Sequence, residues 1–100
     1  MPRVYIPNKA SHDFSDAERF GDLVFLTTGS VQRYSISTMY MKLAEGLTDA
    51  EESDYVVVAS LAVLNMLVGA IMGRKFKKIN LLLFQDGRYL EKTVQIDSLL

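Results

Sequence analysis

The chain has no cysteine and a single histidine, His12, among its 100 residues. The absence of cysteine removes disulfides, thiolate metal sites and cysteine nucleophiles, and it is compatible with a reducing compartment. One histidine excludes a His-rich metal cluster or a two-histidine mechanism within one chain, so no metal is expected. Neither sign of charge dominates. Eleven Lys and Arg against twelve Asp and Glu leave a net charge of −1, so no global field favours nucleic acid. The opening residues Met1-Pro2-Arg3-Val4-Tyr5 lack a long apolar segment with a small-residue cleavage site, and the expectation is a cytoplasmic protein. Repeats, low-complexity tracts and linkers are missing. So are Walker and GxGxxG patterns and a nucleophile elbow around Ser30 or Ser60, so no cofactor is expected by the familiar routes and enzymatic activity stays open.

What is there is a core. Apolar residues make up 49% of the chain and charged residues 23%, the balance of one folded domain over residues 1–100. The longest apolar stretch runs from Tyr55 to Met72, broken only by Ser60, Asn65 and Gly69, and is followed by Arg74, Lys75, Lys77 and Lys78. Length and basic flank give a membrane span as the rival reading. Local chemistry divides the stretch instead. Tyr55-Val56-Val57-Val58 is β-branched and aromatic, Ser60 stands at a helix N-cap position, and residues 61–72 reach only about 18 Å against a hydrocarbon core of roughly 30 Å.

The remaining elements alternate. Val4-Tyr5-Ile6 reads as a strand stopped by Pro7-Asn8, and Ser15 with Glu18 fits a capping box opening a helix of one to two turns that ends at Gly21. Leu23 to Leu26 reads as a strand covered on both faces. Ile36, Met39, Tyr40, Leu43 and Leu47 form one apolar stripe on a helix from about Ser35 to Gly46. Thr48 to Asp54 is a surface connector with a second capping-box pattern at Thr48 and Glu51. Tyr55 to Ala59 is a strand, Leu61 to about Gly73 a helix, and Ile79 to Phe84 a strand. Asp86-Gly87 is the signal of a type I′ hairpin turn, with Leu90 to Ile96 returning antiparallel. The fold expected is a small α/β, Rossmann-like three-layer sandwich, mostly parallel, with a C-terminal antiparallel hairpin. Its competitor is an α+β arrangement in which the first strand pairs antiparallel.

With the first strands parallel, Asn8, Lys9, Thr28, Gly29, Ser30 and Ser60 leave the sheet at one edge, joined by Arg33. Open α/β sheets bind ligands at that edge, where helix N-termini offer free amides. Lys9 and Arg33 would neutralise an anion. His12-Asp13 is the one pair resembling acid–base apparatus, and a hydrolase or transferase using it would need His12 to fold back toward Ser30 or Ser60. The apolar residues of the helix over 61–73 cover nearly its whole circumference, which predicts a homodimer through Ala62, Asn65, Met66, Gly69 and Gly73, or else burial against this chain's own sheet and neighbouring helix. The basic cluster at 74–78 complements the dipole at that helix's end.

The layout from Tyr55 to Ile96, a strand ending in Ser, an apolar helix, a strand and a hairpin, resembles parts of CARF-type Rossmann domains. That resemblance covers under half the chain and implies nucleotide binding across a dimer. The expectation is therefore a non-enzymatic, dimeric module for a small anionic or nucleotide-like ligand, with an assembly protein lacking any small ligand as the alternative.

Overall fold

The computed structural model describes residues 1–9, 12–28, 35–59 and 61–96. Five strands form one sheet: β1 (Arg3–Ile6), β2 (Asp22–Phe25), β3 (Tyr55–Val57), β4 (Lys78–Gln85) and β5 (Arg88–Gln95). Their order is β2-β1-β3-β4-β5, with the first four parallel and β5 antiparallel to β4. The α+β competitor is thereby overturned, because β1 pairs parallel with both neighbours, Tyr5 facing Val24 on one side and Val56 on the other. The fold is a small α/β fold with a mixed, mostly parallel sheet and two α-helices, α1 (Ile36–Gly46) and α2 (Ala62–Lys75).

Alternation along the strands divides the core in two. Tyr5 and Val56, with Ile79 and Leu81, face Met39 and Leu43 of α1, Leu47 at its C-cap, and Leu64, Val68, Ile71 and Met72 of α2. Val4, Ile6, Val57 and Leu82 face the other way, against Phe14, Ala17 and Tyr89. That second face is covered by a five-residue 3-10 segment, Ser15–Arg19, in place of an α-helix.

The short segment is held by its charged residues. Asp16 Oδ2 accepts from the Tyr89 amide at 2.7 Å, and the Arg19 guanidinium donates to the Tyr89 carbonyl. Tyr89 lies opposite Phe84. In a hairpin with a two-residue turn that pair points its backbone groups away from the partner strand, so Asp16 and Arg19 cover groups that an edge strand would otherwise leave open. The Ser15–Glu18 capping box does not form. Asp13 Oδ1 instead accepts from the Ser15 amide at 2.9 Å, and Ser15 is the segment's first residue with Phe14 as its N-cap.

Three other expectations are corrected. The buried stripe of α1 is the narrower set Met39, Leu43 and Leu47, because Ile36 and Tyr40 are 50% and 45% exposed. β2 is an edge strand, so Leu23, Val24 and Phe25 stay half-buried where cover on both faces was expected. The N-cap of α2 is Leu61, one residue beyond the position expected from Ser60. The apolar stretch does divide into strand and helix. The 14 residues of α2 span about 21 Å, and among the described residues no helix is long and apolar enough to cross a membrane.

Buried polar side chains tie the connections down. Asn80, 5% exposed, donates to the carbonyls of Glu52 and Asp54 at 3.1 Å each and accepts from the Thr93 hydroxyl at 2.9 Å. Asp54, 3% exposed, accepts from the amides of Arg3 at 2.9 Å and Glu51 at 2.8 Å. Lys75 donates to the carbonyls of Leu47 and Thr48, which gives part of the basic cluster a capping role at the end of α1. The hairpin turn has positive φ at both Asp86 (53°) and Gly87 (81°), as a type I′ turn requires.

Candidate functional site

The strand order reverses between β1 and β3, a switch point of the kind at which open α/β sheets hold ligands. Close by, the segment after β1, the end of β3 and the β4–β5 hairpin surround a cavity of about 330 Å³. Its lining is His12, Asp13, Phe14, Val58, Ala59, Phe84 and Tyr89.

Sheet geometry explains the aromatic walls. Phe84 shares the face of Leu82 by the two-residue period, and the turn at Asp86-Gly87 sets Tyr89 opposite it, their rings 5.0 Å apart at 61°. Phe14 is 5% and Tyr89 3% exposed, whereas Phe84 is 58% exposed at the mouth. Burial, with the nearby carboxylates of Asp13 and Asp16, pushes the Tyr89 phenol above its ordinary value, so it is protonated at neutral pH. The Ser15 amide and hydroxyl hold the Asp13 carboxyl below the usual carboxylate range, so Asp13 is charged.

His12 and Asp13 both line the cavity, yet they share no hydrogen bond. His12 is exposed, its ring 6.2 Å from that of Phe14, and the Asp13 carboxylate serves Ser15. The acid–base pairing does not form.

The strand-end residues separate into two groups. Asn8 is buried, and the Thr27 hydroxyl donates to the Pro7 carbonyl at 2.7 Å and lies 2.8 Å from the Asn8 carboxamide. Both side chains join the strand extensions. Lys9 and Thr28 pair through their backbones beyond β1 and β2, and both are exposed. The Lys9 ammonium is 5.3 Å from the Phe25 ring, whose centroid is 5.9 Å from that of Phe14, so Lys9 lies on the cavity's side of the sheet. Gly29, Ser30, Arg33 and Ser60 lie outside the described residues.

The residues expected at a dimer interface share one stripe of α2 but differ in their surroundings. Ala62 and Met66 are exposed, Met66 by 74%, and a Cβ on Gly69 would meet nothing within 4 Å. Asn65 accepts from the Ala59 amide at 3.3 Å and so caps the end of β3 within the chain. Gly73 faces this chain's own Ile96 and Ile79. Among the described residues no group of three or more His, Asp or Glu could hold a metal ion.

Sequence reasoning missed Phe14, Val58, Ala59, Phe84 and Tyr89. A signal for two of them was present, since a two-residue turn at Asp86-Gly87 fixes Phe84 opposite Tyr89.

A family model described as phage Pam3 gp32-like protein matches residues 2–97. The chain belongs to the phage Pam3 gp32-like family. No match was found among curated proteins or among solved structures. The match spans every element of this gp32-like chain, from β1 through β5, and therefore includes the whole cavity lining.

Proposed function

We propose that this gp32-like protein is a non-enzymatic module that binds a small anionic, nucleotide-like ligand at the C-terminal edge of its parallel strands. The observation that carries the reading is the aromatic-walled cavity beside the β1–β3 reversal, with the Lys9 ammonium on the same edge and face. A ring would occupy the cavity and an anionic group would lie outward toward Lys9. A Rossmann-like three-layer arrangement belongs to the same proposal, with the 3-10 segment as a reduced third layer, and so does a cytoplasmic setting. Calorimetric titration with nucleosides and their 5′-monophosphates tests it. The phosphorylated compounds should bind, and Lys9→Ala should weaken them roughly tenfold, the scale of one charge-assisted contact. Equal binding of nucleosides and nucleotides, or no binding of either, would refute the reading.

A homodimer through the outer surface of α1 and α2 is the second reading. It is favoured by Tyr40, Met41 and Met66, which are 45%, 69% and 74% exposed on those helices. Light scattering on purified protein decides it by mass.

A further inference from the structure

The cavity wall is chemically uneven. Phe14, Phe84, Tyr89, Val58 and Ala59 supply apolar and aromatic surface, while His12 and Asp13, adjacent in the segment after β1, supply the polar part. With Phe14 and Tyr89 nearly inaccessible, two aromatic walls are fixed by the core. The volume, about 330 Å³, is toward the small end of ligand cavities and suits one flat ring system with little more.

Asp13 determines which ring. Its carboxylate is held ionised by Ser15, and an ionised carboxylate only accepts hydrogen bonds. Two oxygens provide about four acceptor sites, so the bonds to Ser15 leave capacity for a ligand. Such a group repels phosphate and also repels a ring edge made of carbonyls. It matches two neighbouring N–H donors, which a carboxylate can accept side by side. Phosphate then belongs outside, toward Lys9, beyond Phe14 and Phe25 on the same face.

We infer that the cavity recognises a heteroaromatic ring whose edge carries two adjacent N–H donors, a guanine-type base, lodged among Phe14, Phe84 and Tyr89 with that edge on the Asp13 carboxylate. The inference rests on the ligand-binding reading above and names its ligand class.

The test compares guanosine 5′-monophosphate with inosine 5′-monophosphate by calorimetry, on the unmodified protein and on Asp13→Asn. Inosine's base lacks only the exocyclic amine, so the carboxylate loses one of its two donors. The unmodified protein should prefer the guanosine compound by about tenfold or more, the scale of one bidentate base contact. Asp13→Asn keeps an oxygen for the Ser15 amide but presents one donor and one acceptor, so the preference should vanish or reverse. Thermal melting of the variant checks that its fold is intact, and the ratio for the unmodified protein stands without any variant. If nucleotides bind in a phosphate-dependent way but the two bases are equal, or if Asp13→Asn leaves the preference unchanged, the inference fails and the ligand-binding reading survives. If neither of these two binds while another nucleoside 5′-monophosphate does, the inference alone fails; if no nucleotide binds, both fail.

Discussion

Two glycines in this chain should respond to the same substitution with opposite signs. Gly69 lies in the interior of the 14-residue α2, and a Cβ built there meets nothing within 4 Å. Gly69→Ala should therefore realise the whole helix-propensity difference, about 0.8–1.0 kcal/mol, with no steric cost. For a chain of this length that is a rise in melting temperature of about 4–8 °C. Gly21 is buried between the 3-10 segment and β2, and a Cβ there would land on the Pro2 carbonyl, with the carbonyl carbon at 2.8 Å. That carbonyl also accepts from the Asp22 amide at 3.1 Å, so it has little freedom to retreat. Gly21→Ala should cost about 1–3 kcal/mol, the usual range for overpacking. Thermal and urea unfolding of the two variants beside the parent protein measures both. A fall in stability for Gly69→Ala would refute the reasoning, because it would mean that the added methyl meets matter the described residues do not supply. A second copy packed closely on α2 would do that, and the loss would then grow with protein concentration.

Two further outcomes follow from the polar ties. Asp54→Ala removes a buried carboxylate that accepts from the part-buried amides of Arg3 and Glu51 and should destabilise by about 1–3 kcal/mol in urea unfolding, whereas a loss under about 0.5 kcal/mol would mean the two bonds are replaced by water. The carboxyls of Asp13 and Asp16 are held below the usual range, Asp13 chiefly by the Ser15 amide and Asp16 chiefly by the Tyr89 amide. The unfolded chain then binds protons first on acidification. This stabilisation is complete above the unfolded value of about 3.9 and is lost as pH falls below it through the lower folded values. Melting temperature should fall below about pH 4, and Asp16→Asn should flatten that fall; an unchanged slope would remove Asp16 from the account.

Much of the fold was legible because the signals were local. The β-branched run at Tyr55, the turn at Asp86-Gly87 and the apolar period of residues 39–47 each fix an element without reference to distant residues. What stayed hidden depended on neighbours. Strand order determines that β2 is an edge and so only half-covered, and no residue within β2 states that. Ile36 and Tyr40 carry the period of α1 but fall outside the strip that the sheet and α2 cover. Ser15 and Asp13 both have capping chemistry, and it is the Asp13 carboxylate that takes the Ser15 amide. At the site, the edge was legible from the alternation of elements, and His12 and Asp13 do line the cavity there. Their expected partnership was not realised, because adjacent side chains on a loop diverge and Ser15 offers Asp13 a nearer donor.

The cavity itself arises from the unequal cover of the two faces. On one, α1 and α2 carry Leu43, Leu47, Leu64, Val68 and Met72 into the sheet and leave the core filled. On the other, the link from β1 to β2 contributes five residues of 3-10 helix, pinned at Asp16 and Arg19 to Tyr89. So short a segment covers the sheet around Ala17 but does not extend over the C-terminal ends of β3 and β4. Aromatic side chains occupy that margin instead, the Phe84 and Tyr89 rings meeting edge to face at 61°. The brevity of that one helical segment thus goes with the opening at the strand-end edge, where the cavity lies.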